Sequence, residues 1–100
     1  MIVIAGTVPT KADRRDDVIA AATAMVRATL EEAGCNAYSF SFSMTEPATV
    51  CIFEEWVDQA ALDAHFATAH MAEFRGKLGD LVAGAGTFTK YEIASSGPLF

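Results

Sequence analysis

The apolar positions of the chain fall into two alternating periods. "MIVIAGTV" (residues 1–8) is a continuous apolar run rich in β-branched side chains and closed by Pro9. It reads as a strand that is apolar on both faces. From Thr10 to Ala33 the spacing becomes helical, with Val18, Ala22, Met25, Val26, Thr29, Leu30 and Ala33 along one face. Asp13 is a candidate N-cap, Asp16 and Asp17 suit the positive end of the helix dipole, and Gly34 is the expected terminator. "NAYSFSFS" (36–43) returns to a period of two: Tyr38, Phe40 and Phe42 point one way, Ala37, Ser39, Ser41 and Ser43 the other. "MTEP" (44–47) is the turn and "ATVCIFEEWV" (48–57) the returning strand. Pairing Ser43 with Ala48 sets Tyr38 opposite Phe53, Phe40 opposite Cys51 and Cys35 opposite Trp56. The same register puts Ile52, Glu54 and Trp56 on the face of Ala37, Ser39 and Ser41, where small side chains beside a tryptophan leave room for a ligand. A slip of one residue exchanges the two faces.

Asp58 is placed to cap a helix carrying Leu62, His65 and Phe66 at i, i+3, i+4 spacing. Thr68 restarts it, and Met71, Phe74, Leu78, Leu81 and Val82 form the next apolar stripe. "TFTKYEIA" (87–94) is the last strand, and residues 94–100 form a tail to a single domain spanning 1–100. The order β-α-β-β-α-β predicts an α+β, ferredoxin-like fold, an antiparallel sheet with its helices on one face. Strands 1 and 3 carry apolar side chains on both faces, and an apolar sheet face left in water is an association site. A homodimer through the sheet is the simplest remedy.

Composition sharpens this picture. A chain of 100 residues buries only about 60–65% of its extended surface, which makes a monomer marginal. Yet 52% of its residues are apolar, a surplus that pairing would use. The net charge of −6 disfavours nucleic acid and anionic membranes, which need a basic footprint. With no basic leader, no cleavage site and no apolar run near the roughly 20 residues of a membrane span, a cytoplasmic location is expected. Cys35 and Cys51 match no zinc motif and are too few for a disulfide scaffold.

The chain has two histidines, His65 and His70. Five positions apart, they would stand roughly 140° around an unbroken helix. A metal would need a kink near Thr68 to align them, together with a carboxylate such as Glu54; paired helical ligands normally sit at i, i+3 or i, i+4. No nucleophile elbow, phosphate loop or dinucleotide motif is present. Acid–base chemistry by histidine in an aromatic-lined cavity remains, because imidazole titrates closest to neutrality. The ordinary alternatives stay open: a buried His65 bonded to a backbone carbonyl, a solvated or capping His70, and Trp56 and Tyr38 as plain core aromatics. Glu54 and Glu55 face opposite sides of their strand, so one of them is a candidate for a buried, paired carboxylate.

These residues also carry a resemblance. Gly34-Cys35, Tyr38, Glu46-Pro47, Glu54-x-Trp56, Ala61-Leu62, His65, His70 and Phe74 follow in the order seen in the antibiotic biosynthesis monooxygenase domain family. The resemblance implies a ferredoxin-like domain paired into a dimeric α/β barrel. It also implies a small oxygenase acting on a quinol, phenol or anthrone-like aromatic without metal, flavin or haem. In that reading His65 is the first candidate base and His70 the second. Trp56, Tyr38, Glu54, Phe66 and Phe74 are the candidate substrate contacts. Haem-degrading relatives have an Asn at the end of strand 1 and a helical His ligand; here the strand ends "AGTV" and the aligned position is Arg75, which points away from haem. The Asn and Tyr that flank the Trp in some polyketide oxidases are Ile52 and Leu62 here. The alternatives are an isomerase or other proton-transfer enzyme on a small carbonyl compound, and a non-catalytic binder of small hydrophobic ligands.

Overall fold

The computed structural model describes residues 1–100. Its elements are β1 (Ile2–Pro9), α1 (Arg15–Leu30), β2 (Cys35–Phe42), β3 (Thr49–Trp56), α2 (Gln59–Phe66), α3 (Ala69–Leu78) and β4 (Thr87–Glu92). The strands form one sheet in the order β2-β3-β1-β4, and every neighbouring pair is antiparallel. This is the expected α+β ferredoxin-like fold, with the second helix divided in two at Thr68.

The core lies between the helices and one sheet face, in two adjoining clusters. Val8, Val50 and Ile52 of the sheet meet Val18 and Ala21 of α1 and Leu81 in the first. Ile2, Tyr38 and Trp56 meet Met25 of α1 and Leu62 of α2 in the second. Phe40 and Phe74 pack against both. Each large apolar side chain withdrawn from water in this way contributes about 1.5–3 kcal/mol, so the clusters dominate the stability of so short a chain.

Three local expectations are corrected. The β2–β3 register is one residue away from the expected pairing along most of its length: Tyr38 faces Glu54, Phe40 faces Ile52 and Phe42 faces Val50. The cause is Ala48, which adopts a left-handed φ of 65° and is spent in the loop instead of the strand. Its carbonyl is taken by the Thr10 amide, and Ser43 pairs with Thr49. Glu54 and Trp56 therefore share the buried face with Tyr38, and the space expected beside Ala37, Ser39 and Ser41 does not adjoin the tryptophan. A bulge between Cys35 and Ala37 restores the expected Cys35–Trp56 pairing at the strand end. Second, Asp13 does not cap α1; it lies in a short 3-10 turn, Ala12–Arg14, whose Arg14 amide bonds to the Lys11 carbonyl. Third, Leu81 and Val82 lie beyond α3, in the turn that bridges Val82 to Thr10.

The opposite sheet face carries Val3, Ala5, Cys51, Phe53 and Tyr91 in neighbouring register positions. Phe53 is 44% exposed there and Tyr91 is exposed as well. No helix of the chain is long and apolar enough to cross a membrane.

Candidate active site

Residues two apart on a strand share a face, which aligns Glu54 and Trp56 beneath the helices. Trp56 is fully enclosed, and its Nε1 donates to Glu54 Oε1 at 2.9 Å. Burial pushes the Glu54 carboxyl above its ordinary range, with Glu32 adding to the push; the Trp56 hydrogen bond and the nearby His65 oppose it. The corrected register sets Tyr38 directly across from Glu54. Its ring meets Trp56 edge-on at 6.3 Å. Burial, and then the Glu54 charge, hold the Tyr38 hydroxyl well above the normal phenol range, so it stays protonated.

The histidines come from α2 and α3. Asp58 caps α2 by accepting from the Ala61 amide at 2.9 Å, which turns Leu62 and His65 inward. The fully buried His65 ring lies 4.7 Å from the indole of Trp56 and 5.4 Å from the ring of Tyr38. Thr68 then breaks the helix with a single hydroxyl. It donates to the His65 carbonyl at 2.8 Å and accepts from the Met71 amide at 3.2 Å, ending α2 and starting α3. The break brings the His65 and His70 rings to 6.2 Å, the realignment that an unbroken helix forbids.

Between them stands Glu32. Its Oε2 is 2.7 Å from His65 Nδ1 and 2.7 Å from His70 Nε2. Glu32 reaches this position because the chain reverses immediately after α1, through Gly34 at φ +82°. A Cβ at Gly34 would lie 2.7 Å from the Ala61 Cβ and 2.9 Å from Val57 Cγ2, so only glycine lets the corner seat against α2.

A carboxylate oxygen can only accept, so this bridge assigns N–H to His65 Nδ1 and to His70 Nε2. On a neutral His65 the lone pair is then at Nε2, which is buried and has no hydrogen-bond partner. Imidazole oriented by a carboxylate, with its other nitrogen free, is the arrangement of a general base, and the carboxylate steadies the imidazolium that forms. The same three side chains offer two nitrogens and an oxygen for a cation, all within 4.8 Å of one another.

Of the residues singled out from the sequence, Trp56, Tyr38, Glu54, His65 and His70 converge. Phe74 is one ring removed, packed 5.7 Å from Phe40, which lies 5.3 Å from Tyr38. Those rings separate His65 from an apolar cavity of about 70 Å³ lined by Val8, Ile52, Phe40, Phe74, Leu78 and Leu81, among others. Neither histidine lines it. Phe66 borders the site at its open edge: its ring lies 5.7 Å from that of His65, is half-exposed, and has the Arg75 guanidinium 5.9 Å over it. Glu32 was not anticipated. Its sequence signal is an acid just beyond the C-terminal end of a helix, where the dipole favours cations and a carboxylate needs a partner.

Residues 1–77 match the family model described as antibiotic biosynthesis monooxygenase. An uncharacterised protein of Synechocystis sp. is 37% identical over 98 residues, covering 98% of this chain and 67% of that one. YcnE of Bacillus subtilis, provisionally named a monooxygenase, is 29% identical over 83 residues, covering 83% of this chain and 87% of that one. A solved structure from Deinococcus radiodurans superposes with a TM-score of 0.89 at 22% identity, covering 100% of this chain and 99% of that one, a likeness of fold. The chain belongs to the antibiotic biosynthesis monooxygenase family.

Proposed function

We propose that the chain is a cofactor-independent monooxygenase of a small electron-rich aromatic, a quinol, phenol or anthrone-like compound, with His65 as its base. Family membership supports a monooxygenase-like role in general. The specific reading rests on one observation: Glu32 holds His65 by Nδ1 and leaves Nε2 buried without a partner, among aromatic walls. Removal of an acidic proton by Nε2 leaves a phenolate or enolate, electron-rich enough to reduce dioxygen directly. The enclosed site then supplies orientation and keeps water from the intermediate. Glu32 balances the imidazolium, and the partly exposed His70 gives the cluster a side toward solvent. The walls nearest His65 are the rings of Trp56 and Tyr38, which favours a flat apolar substrate over a phosphorylated one. The reading includes a homodimer closed through the open sheet face.

The test is anaerobic incubation with a menadiol-like or anthrone-like probe, followed by air. Oxygen uptake is expected, and His65→Ala should lower it by about 10²–10⁴-fold, the usual contribution of a general base. Unchanged turnover in the variant removes His65 from the reaction. Oxygen-independent proton exchange on a diketone would instead favour an isomerase using the same nitrogen. Retention of a hydrophobic ligand with neither activity would favour a binder.

A further inference from the structure

The sequence sets two conditions for a metal site, a break between the histidines and a carboxylate beside them, and the fold meets both. We propose that Glu32, His65 and His70 form a site for a divalent first-row transition cation of the zinc class. His65 Nδ1 and His70 Nε2 already aim at one point, each 2.7 Å from Glu32 Oε2. Cations of this class take nitrogen and oxygen ligands at about 2.0–2.2 Å, which spaces adjacent tetrahedral ligand atoms by about 3.3 Å. Glu32 therefore draws back by a fraction of an ångström from each ring, and the two histidine nitrogens, within 4.8 Å of each other, close toward that spacing. The ligands come from three separate places, the end of α1, α2 and the start of α3. Two of them are anchored through the Thr68 hydroxyl, which ends one helix and caps the next. Two imidazoles and one carboxylate suit zinc, cobalt, nickel or copper, whereas calcium and magnesium prefer all-oxygen sets. His65 is enclosed while His70 and Glu32 are partly exposed, so a cation enters from the solvent side and keeps water on its remaining positions. Buried Glu54 and the net charge of −6 add to the attraction.

The site has a chemical consequence. A cation on Nδ1 occupies the place of that proton, so a neutral His65 then carries its proton on Nε2. The base is lost, and metal occupancy switches the reaction off. This consequence rests on the proposed function; the binding itself does not.

Tag-free, chelator-treated full-length protein should take up one equivalent of Co²⁺ with new visible absorption bands, and Zn²⁺ should displace it. His70→Ala and Glu32→Gln alter partly exposed side chains, and each should weaken Co²⁺ binding at least about tenfold, with a cooperative thermal melt confirming the fold. No saturable uptake overturns the site, as does uptake unchanged in both variants, which would put the metal elsewhere, at Cys35 or Cys51 for example. Saturating Zn²⁺ should suppress oxygen uptake, and chelation should restore it. Turnover that is unaffected or raised by bound Zn²⁺ overturns the switch and leaves the site standing. Failure of the oxygenase reading shows separately, as no uptake by the metal-free protein, while the Co²⁺ titration still decides the site.

Discussion

Glu54 is a carboxyl folded into an apolar layer, with an indole N–H as its direct hydrogen-bond donor. Because burial outweighs the opposing contributions, its native pKa lies above the ordinary 4.5. Between the unfolded and native values the native state holds more protons than the unfolded state, so stability falls as pH rises through that window. Below it both states are protonated and the contribution is flat. Glu54→Gln keeps the acceptor for Trp56 and removes the ionisation. The difference in melting temperature between the two proteins should therefore be constant below about pH 4.5 and open in favour of Gln as pH climbs. Thermal unfolding across that range checks this, and a gap independent of pH would sink it. The candidate site was partly legible at this scale: Trp56, His65, His70, Tyr38 and Glu54 stood out by chemical type. Glu32 did not, because its partners lie 33 and 38 residues away in sequence.

Elements decide what those residues touch. The break between α2 and α3 carries the two histidines to one carboxylate, and Thr68 makes the break with one hydroxyl. Thr68→Ala should destabilise the fold by about 0.5–2 kcal/mol, as loss of an N-cap usually does. Urea unfolding should show a lower midpoint with an unchanged slope. A midpoint equal to the parent's would mean that α3 does not depend on this cap. Both end signals of α2, Asp58 and Thr68, were readable, because caps are local chemistry. The β2–β3 register was not. It depends on Ala48 entering a left-handed conformation while Thr10, 38 residues earlier, holds its carbonyl. That one-residue difference turns Tyr38 toward Glu54 and Trp56, and without it the aromatic wall around His65 would not form.

At the scale of the molecule, the helices cover one sheet face and leave Val3, Ala5, Cys51, Phe53 and Tyr91 on the other. Pairing of two such faces about a two-fold axis would enclose both, and any charge introduced there would appear twice at the interface. Sedimentation is expected to give twice the chain mass for the parent and the single chain mass for Phe53→Lys. A monomeric parent would contradict pairing through this face. The far side of Phe53 from the histidines makes the variant a test of assembly more than of chemistry.

Period and punctuation along the chain were enough to name the elements, their order and the fold class, because helical and strand spacing, caps and glycines act over a few residues. Which side chains meet was settled only in three dimensions. The register of β2 against β3, the convergence of Glu32 with two histidines, and the seating of Phe40 between Tyr38 and Phe74 all depend on contacts between distant segments. Local chemistry lays down the pieces; the energy that chooses among their arrangements comes from burial shared between them.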